Sequence, residues 1–307
     1  MSRPTTQQVH IDRALTDLSV AYTPGEFIAA GVFPTVKVMK LSDKYWIYSK
    51  EDFLRRDVGV RAPGTRAKRS DYGVTTGGYS CVEHAIAKSV PDEVQNNADN
   101  PMNPIIDATR YVTEQIFLDK EIDVAGEAFG TGWAASATPS ASWSASQSTP
   151  LSDVSTARST IAGSIGREPN VGVMGRALWA ATTENREIMD RLRYSSSPTD
   201  PAIANLAAVA ALFGLSKLLV GSAIYNSSLE GVAGSYGFVW GTNLLVAYVS
   251  PQPALMTPSA GYVFAATTRE IANFREDQER ANVIEARESW DTKVVASDAG
   301  YLIKTAA

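Results

Sequence analysis

The stretch from Asn103 to Gly130, NPIIDATRYVTEQIFLDKEIDVAGEAFG, constrains this chain more than any other. Asn103 offers a side-chain oxygen to cap a helix N-terminus. Pro104 suits the first helical position, where its missing N–H would be an orphan, and Gly130 suits the left-handed position after the last turn. Between them Ala108, Tyr111, Leu118, Ile122, Ala125 and Phe129 fall on one face, with Val112 and Ile116 beside it and Gln115 the only break. A single helix of that length spans roughly 40 Å at a rise of about 1.5 Å per residue. An apolar face that long needs a sheet, or another subunit, to lie on. The same helix carries Asp107, Glu114, Asp119, Glu121, Asp123 and Glu127 against Arg110 and Lys120, so it is acidic, with Arg110 and Glu114 spaced for a surface ion pair.

Before the helix stand two segments without a core of their own. In residues 1–24 a short amphipathic pattern, Ile11, Ala14, Leu15 and Leu18, offers too little apolar surface to fold alone and reads as an arm. Val36 and Val38, then Tyr45, Trp46, Ile47 and Tyr48, read as strands rich in β-branched and aromatic residues. After Phe53 comes LRRDVGVRAPGTRAKRSDYGVTTGG, in which Arg55, Arg56, Arg61, Arg66, Lys68 and Arg69 oppose Asp57, and Pro63-Gly64 marks a bend. This reads as a long two-stranded excursion, and an isolated ribbon is marginal in water, so it must dock on another surface. Its return, Tyr79 to Val90, alternates apolar and polar.

Beyond the long helix, WAASATPSASWSASQSTP would pass for a linker but for Trp133 and Trp143, which argue for an extended segment held to a body. A helix closed by Gly166 follows, then a strand at Val171–Met174 and helical stretches around 176–182 and 184–192. Asp200-Pro201 opens AIANLAAVAALF, closed by Gly214. That run is too short for a membrane span, which needs about 20 residues, and reads as a buried helix. Strands at 218–220, 238–240, 244–249 and 262–266 complete a mixed α/β unit over 170–266, and 282–295 and 299–304 read as closing strands.

Function classes narrow by exclusion. The chain totals a net charge of -5 over 307 residues, and the basic segment alone contributes plus five of the opposite sign. That balance opposes nucleic-acid coating, and base stacking would require aromatics among the charges, of which there are none between Phe53 and Tyr72. One cysteine, Cys81, excludes an internal disulfide, and two histidines, His10 and His84, leave little for a zinc site. Glu83 and His84 lie on opposite faces of a strand and read as ordinary polar positions. Gly231, Gly234 and Gly237 lack dinucleotide-binding spacing, and no phosphate loop, serine elbow or HExxH occurs. The expectation is no enzyme, no cofactor and no metal. Arginine forks pair well with carboxylates, so the basic loop is expected on an acidic surface, with the long helix of a neighbouring copy the candidate.

The order of elements carries a resemblance. An N-terminal arm, YTPGEFIAAGVFPTVKV, KYWIYSKEDFLRRD, a basic loop containing RAPG, the long helix, REPNVGVMGRALW, GLSKLLVGSAIYNSS and VWGTNLLVAYVSP together resemble the major capsid proteins of tailed phages, which have the Hong Kong 97-like fold. The resemblance spans roughly residues 20–270 and rests on order and spacing rather than on any single motif.

It implies an α+β fold with an N-arm (1–40), an extended E-loop (41–90), a peripheral domain built on the spine helix (91–168 and 271–307) and an axial domain (169–270), although Tyr301–Lys304 could end in the axial domain. It also implies pentamers and hexamers closing an icosahedral shell around double-stranded DNA, with no sequence-specific contact to that DNA. The partners would be a separate scaffolding protein, a portal and a decoration protein, with no membrane, and the place would be the virion after assembly in the host cytoplasm. Inter-subunit contact is expected between Arg55, Arg56, Arg61, Arg66, Lys68 and Arg69 of the E-loop and Asp107, Glu114, Glu121 and Asp123 of the spine helix. Some relatives crosslink through a loop lysine; Lys68 lies in that loop, but no motif selects an asparagine partner. An encapsulin-like compartment shell and an α/β enzyme with an unrecognised site remain as alternatives.

Overall fold

The computed structural model describes residues 26–98, 102–195, 205–253 and 256–304. The amphipathic pattern of residues 11–18 and the opening Asp200-Pro201 lie outside the described residues. In chain order the elements are α1 (Ala29–Val32), β1 (Thr35–Lys37), β2 (Ser42–Tyr48), α2 (Lys50–Leu54), β3 (Val74–Ser80), β4 (Val82–Pro91), α3 (Asp92–Asn96), α4 (Pro104–Ala128), β5 (Ala135–Ala137), α5 (Pro150–Ile165), β6 (Val171–Gly175), α6 (Arg176–Glu184), α7 (Arg186–Ser195), α8 (Leu206–Leu212), β7 (Lys217–Gly221), β8 (Ile224–Asn226), β9 (Tyr236–Phe238), β10 (Leu244–Ala247), β11 (Gly261–Glu276), β12 (Ala281–Val294) and β13 (Gly300–Ile303).

Two sheets organise them. The first runs β1-β11-β12-β4, with β1 parallel to β11 and the other pairs antiparallel. The second runs β5-β13-β10-β6-β7, and β6 and β10 at its centre are buried along their whole length. One face of the second sheet packs Met174, Leu244, Val246, Tyr301 and Ile303 against α5, α6, α7 and α8, around Trp143 and Phe213. Its other face presents Val171, Val173, Leu245 and Leu302 to a core shared with α4, where Trp133, Trp240 and Trp290 are also buried. Trp240 sits so close to β7 that a Cβ at Gly221 would overlap its ring.

Strand pairing shows which elements share a sheet. β13 pairs with β10 and with β5, and α5 packs against β13, so Ala135–Ala137, Pro150–Ile165 and Gly300–Ile303 belong with the second sheet rather than with the first. The short apolar runs at 135–137 and 300–303 carried no sign of which sheet they would join. β1 and Gly261–Glu276 belong to the first sheet. α8 begins at Leu206 with Asn205 as its cap, its side chain accepting from the Ala208 amide at 2.7 Å, and Gly214 closes it in the left-handed region.

The long helix starts as its sequence dictates: Asn103 Oδ1 accepts from the amides of Ile105 (3.2 Å) and Ile106 (3.3 Å) ahead of Pro104. Its end differs. Phe129 is the C-cap and Gly130 keeps a negative φ. Gly130 is required instead because a Cβ there would stand 2.9 Å from the Gly126 carbonyl oxygen. Over its first half α4 touches the first sheet through Ala108, Val112 and Ile116. Over its second half it is packed on two sides, which buries Glu121, Val124, Ala125 and Ala128 as well. Tyr111 and Ile122, both expected inside, lie on the surface: in the first half the buried stripe runs through Val112 and Ile116 beside the expected face, and in the second half it turns toward Glu121 and Val124. Among the described residues no helix is long and apolar enough to cross a membrane.

Candidate inter-subunit interface

β2 and β3 form a two-stranded ribbon in register from Ser42↔Ser80 to Tyr48↔Val74. Its base is fixed to the first sheet. Tyr45 and Tyr79 stack on Phe264, with centroids 5.6 and 4.6 Å away, and the Ser80 amide donates to Asp291 Oδ2 at 2.8 Å; at the ribbon's far end Lys50 Nζ meets Asp298 Oδ2, in the turn between β12 and β13, at 2.7 Å. Past the base, Tyr48, Phe53 and Tyr72 make a small aromatic cluster under α2, whose turn is closed by the Gly73 amide donating to Asp52 Oδ2 at 2.9 Å. Strand pairing is confined to 42–48 and 74–80; residues 55–73, which carry the basic charge and were expected to form the two-stranded excursion about Pro63-Gly64, form no regular structure.

This loop has nothing beneath it. Val58 and Val60 are exposed, as are Leu54, Met39 and Trp46 near the ribbon. Of the six expected cations, Arg55 meets Asp52 at 3.3 Å and Lys68 meets Asp57 at 3.0 Å, where Ser70 Oγ also donates. These partners hold both carboxyls below the usual aspartate range. The Gly73 amide acts first on Asp52, and the Ser70 hydroxyl followed by Lys68 acts on Asp57. Arg56, Arg61, Arg66 and Arg69 are exposed and make no ion pair among the described residues. The loop thus presents four unmatched guanidinium groups around two bare valines.

The acidic face proposed to receive it is only partly there. Asp107 is exposed in the first turn of α4 and Glu114 is half-buried, with no ion pair to Arg110. Glu121 points inward and is fully buried. Its carboxylate accepts from the amides of Ile28 (2.9 Å) and Ala29 (2.8 Å) and from Trp240 Nε1 (2.6 Å). Those amides open α1, which has no cap of its own, so Glu121 caps it from a distance. Asp123 turns toward the first sheet and accepts from Trp290 Nε1 at 3.0 Å. Glu121 is therefore closed to a neighbour, whereas Asp123, its side chain 41% exposed, keeps part of its carboxylate at the surface. On its sheet side a row of polar contacts clamps it: His84 Nδ1 to Asp119 at 2.7 Å, Lys120 to Glu288 at 2.6 Å, and the Val294 amide to Glu127 at 3.2 Å.

Other carboxylates are available that sequence reading passed over. Along β4 and β12 the even-numbered residues face α4, so Glu83, Glu285 and Arg287 project from the opposite face of the first sheet. There Arg287 is held by Glu270 at 2.8 Å, with Glu83 and Glu285 close enough to raise its pKa further. Only strand pairing brings these positions together, which is why no local motif marked them. The β11–β12 turn adds exposed Glu276, Asp277 and Glu279.

No protein-family model matches the chain. It is 24% identical over 305 residues to the major capsid protein of Burkholderia phage BcepMu, covering 95% of each. Among solved structures, a phage-related protein from Bordetella bronchiseptica RB50 superposes with a TM-score of 0.70 at 26% identity, over 91% of this chain and 92% of that one. The capsid structure of cyanophage P-SCSP1u matches with a TM-score of 0.63 at 9% identity, over 93% and 90%. The chain thus resembles the major capsid proteins of tailed phages along nearly its whole length and has their Hong Kong 97-like α+β fold.

Proposed function

We propose that this chain is the major capsid protein of a tailed phage, closing in rings of five and six copies into an icosahedral shell around double-stranded DNA. One observation carries the reading: the match to a phage major capsid protein is end to end, and the part of the fold least able to stand alone, the ribbon and its loop, belongs to that match. A segment with exposed valines and unmatched arginines gains nothing in the monomer. Packed on a neighbour it would bury apolar surface and pair its charges, and obligate contacts of this class bury about 2,000–5,000 Å². Rings require heterologous contacts that close by rotation, which a projecting loop supplies.

The sheet grouping supports a peripheral domain on the first sheet and α4, and an axial domain on the second. The loop's receptor in this reading is acidic surface of the adjacent copy: Asp107 and Glu114 together with Glu83, Glu270 and Glu285. A scaffolding protein, a portal and a decoration protein would be further partners during assembly in the host cytoplasm. The reading assigns the chain no catalytic role.

Electron microscopy and light scattering of the purified protein test it. Closed shells or capsomer rings are expected. A particle no larger than a small oligomer under conditions promoting assembly, with or without a scaffolding partner, overturns it, and shells that carry a protein cargo rather than DNA redirect it to a compartment shell.

A further inference from the structure

We propose that His84, Asp119 and Asp123 form a binding site for a divalent transition-metal ion of the Zn²⁺ or Mn²⁺ class, which pins α4 to β4. Asp119 and Asp123 stand one turn apart on α4 and so share a face, and His84 projects toward them from β4. One ligand atom from each lies within 4.8 Å of the others, with His84 and Asp123 partly buried and Asp119 exposed. His84 Nδ1 already stands 2.7 Å from Asp119 Oδ2, whereas Nε2 is 4.0 Å from Asp123 Oδ2, too far for a hydrogen bond.

Trp290 supplies the outer support that metal ligands characteristically have. Its ring stacks on the imidazole, with centroids 3.9 Å apart and planes 13° from parallel, and its Nε1 donates to Asp123 Oδ2 at 3.0 Å. Both ligand orientations are therefore set by one residue.

Charge points the same way. Lys120, the ammonium beside the cluster, is committed to Glu288 at 2.6 Å. One imidazole is left facing two carboxylates, with Asp291 also acting on Asp123. A dication would offset this negative charge, and the partly exposed side admits water to complete the coordination shell. Mixed imidazole and carboxylate donors suit Zn²⁺ or Mn²⁺ better than Ca²⁺ or Mg²⁺, which favour oxygen alone. The competing account is a protonated imidazole bridging the two carboxylates with no metal.

The test uses chelator-treated full-length protein titrated with ZnCl₂, MnCl₂ or MgCl₂, read by calorimetry and by the thermal midpoint. One Zn²⁺ or Mn²⁺ per chain is expected, with the midpoint rising by about 5 °C at a hundredfold excess over Kd and falling back with chelator. MgCl₂ should leave it unchanged. His84→Gln, which retains a planar group over Trp290, and Asp119→Asn should each abolish the rise. Absence of binding to the unaltered protein overturns the proposal, and so does an undiminished rise in both variants, which would place the metal elsewhere. If the variants fail to fold, Co²⁺ added to the unaltered protein decides: a visible ligand-field band displaced by Zn²⁺ supports the site, and its absence refutes it.

Discussion

The second half of α4 and the loop at 55–73 are both charged segments of this chain, and they have met opposite fates. Asp119, Lys120, Glu121, Asp123 and Glu127 each find a donor or acceptor on the first sheet, on α1 or on Trp240. In the loop only Arg55 and Lys68 of six cations are paired, both with carboxylates of the ribbon and loop themselves. A buried charge without partners costs several kcal/mol, whereas an exposed one costs almost nothing. The buried Glu121 and the nearly buried Lys120–Glu288 pair therefore had to be satisfied within the monomer, while the exposed loop charges did not. In the proposed shell the difference would separate residues that hold the subunit together from residues that join subunits.

The largest expected effect tests that separation directly. Reversing Arg61, Arg66 and Arg69 together to glutamate should abolish shell formation, read by electron microscopy, while the denaturation midpoint of the unassembled protein stays where it was. Assembly that survives the triple reversal breaks the comparison on the loop side. On the helix side, Glu121→Ala removes the acceptor of two amides and an indole N–H, leaving three donors buried without partners. It should cost about 3–5 kcal/mol in chemical denaturation. Glu121→Gln, which keeps the volume and one acceptor, should cost about half as much. A loss below about 1 kcal/mol for the alanine variant would mean that water reaches these donors. Next in size, Lys120→Met strands the buried Glu288 and should cost about 2–3 kcal/mol, with most of it recovered in the double variant Lys120→Met/Glu288→Leu.

Local signals in the sequence reached only as far as local physics does. Asn103, Pro104, Gly166 and Gly214 were legible because a cap or a left-handed glycine is decided within a few residues. The bare loop was legible because the segment between Phe53 and Tyr72 has too few apolar residues to bury anything. The roles of Glu121 and Asp123 were not, because a carboxylate looks the same on a solvated face and in a buried cap. Glu121 is explained only by Ile28, Ala29 and Trp240, which are 92 to 119 positions away. For the same reason Glu83, Glu270 and Glu285 look unrelated until β4, β12 and β11 are aligned. The apolar face of α4 was only partly legible: Ala108 and Ala125 are buried as expected, but Tyr111 and Ile122 are not, because the buried stripe runs through Val112, Ile116, Glu121 and Val124.

The smallest expected effect concerns pH. Most shifted carboxyls here, including Asp52, Asp57 and Asp92, are held below 3.8 by donors or cations, so the stability they contribute is lost as pH falls through those depressed values. Asp123 has the opposite sign. Its folded-state value lies above 3.8, so between that raised value and 3.8 the folded chain takes up a proton before the unfolded chain does. Stability contributed by this site therefore rises as pH falls through that window. Asp123→Asn keeps the acceptor for Trp290 Nε1 and removes the titration. In chelator-containing buffer it should leave the protein as stable as before, or slightly more so, at pH 7, and should remove the rise just above the aspartate range while the loss at lower pH remains. Asp123 is nearly half exposed, so the change will be a small inflection in the stability profile. If Asp123→Asn instead destabilises the protein at pH 7, the carboxylate charge is itself part of the clamp on α4, and the enclosed half of the helix is held by charge as well as by hydrogen bonds.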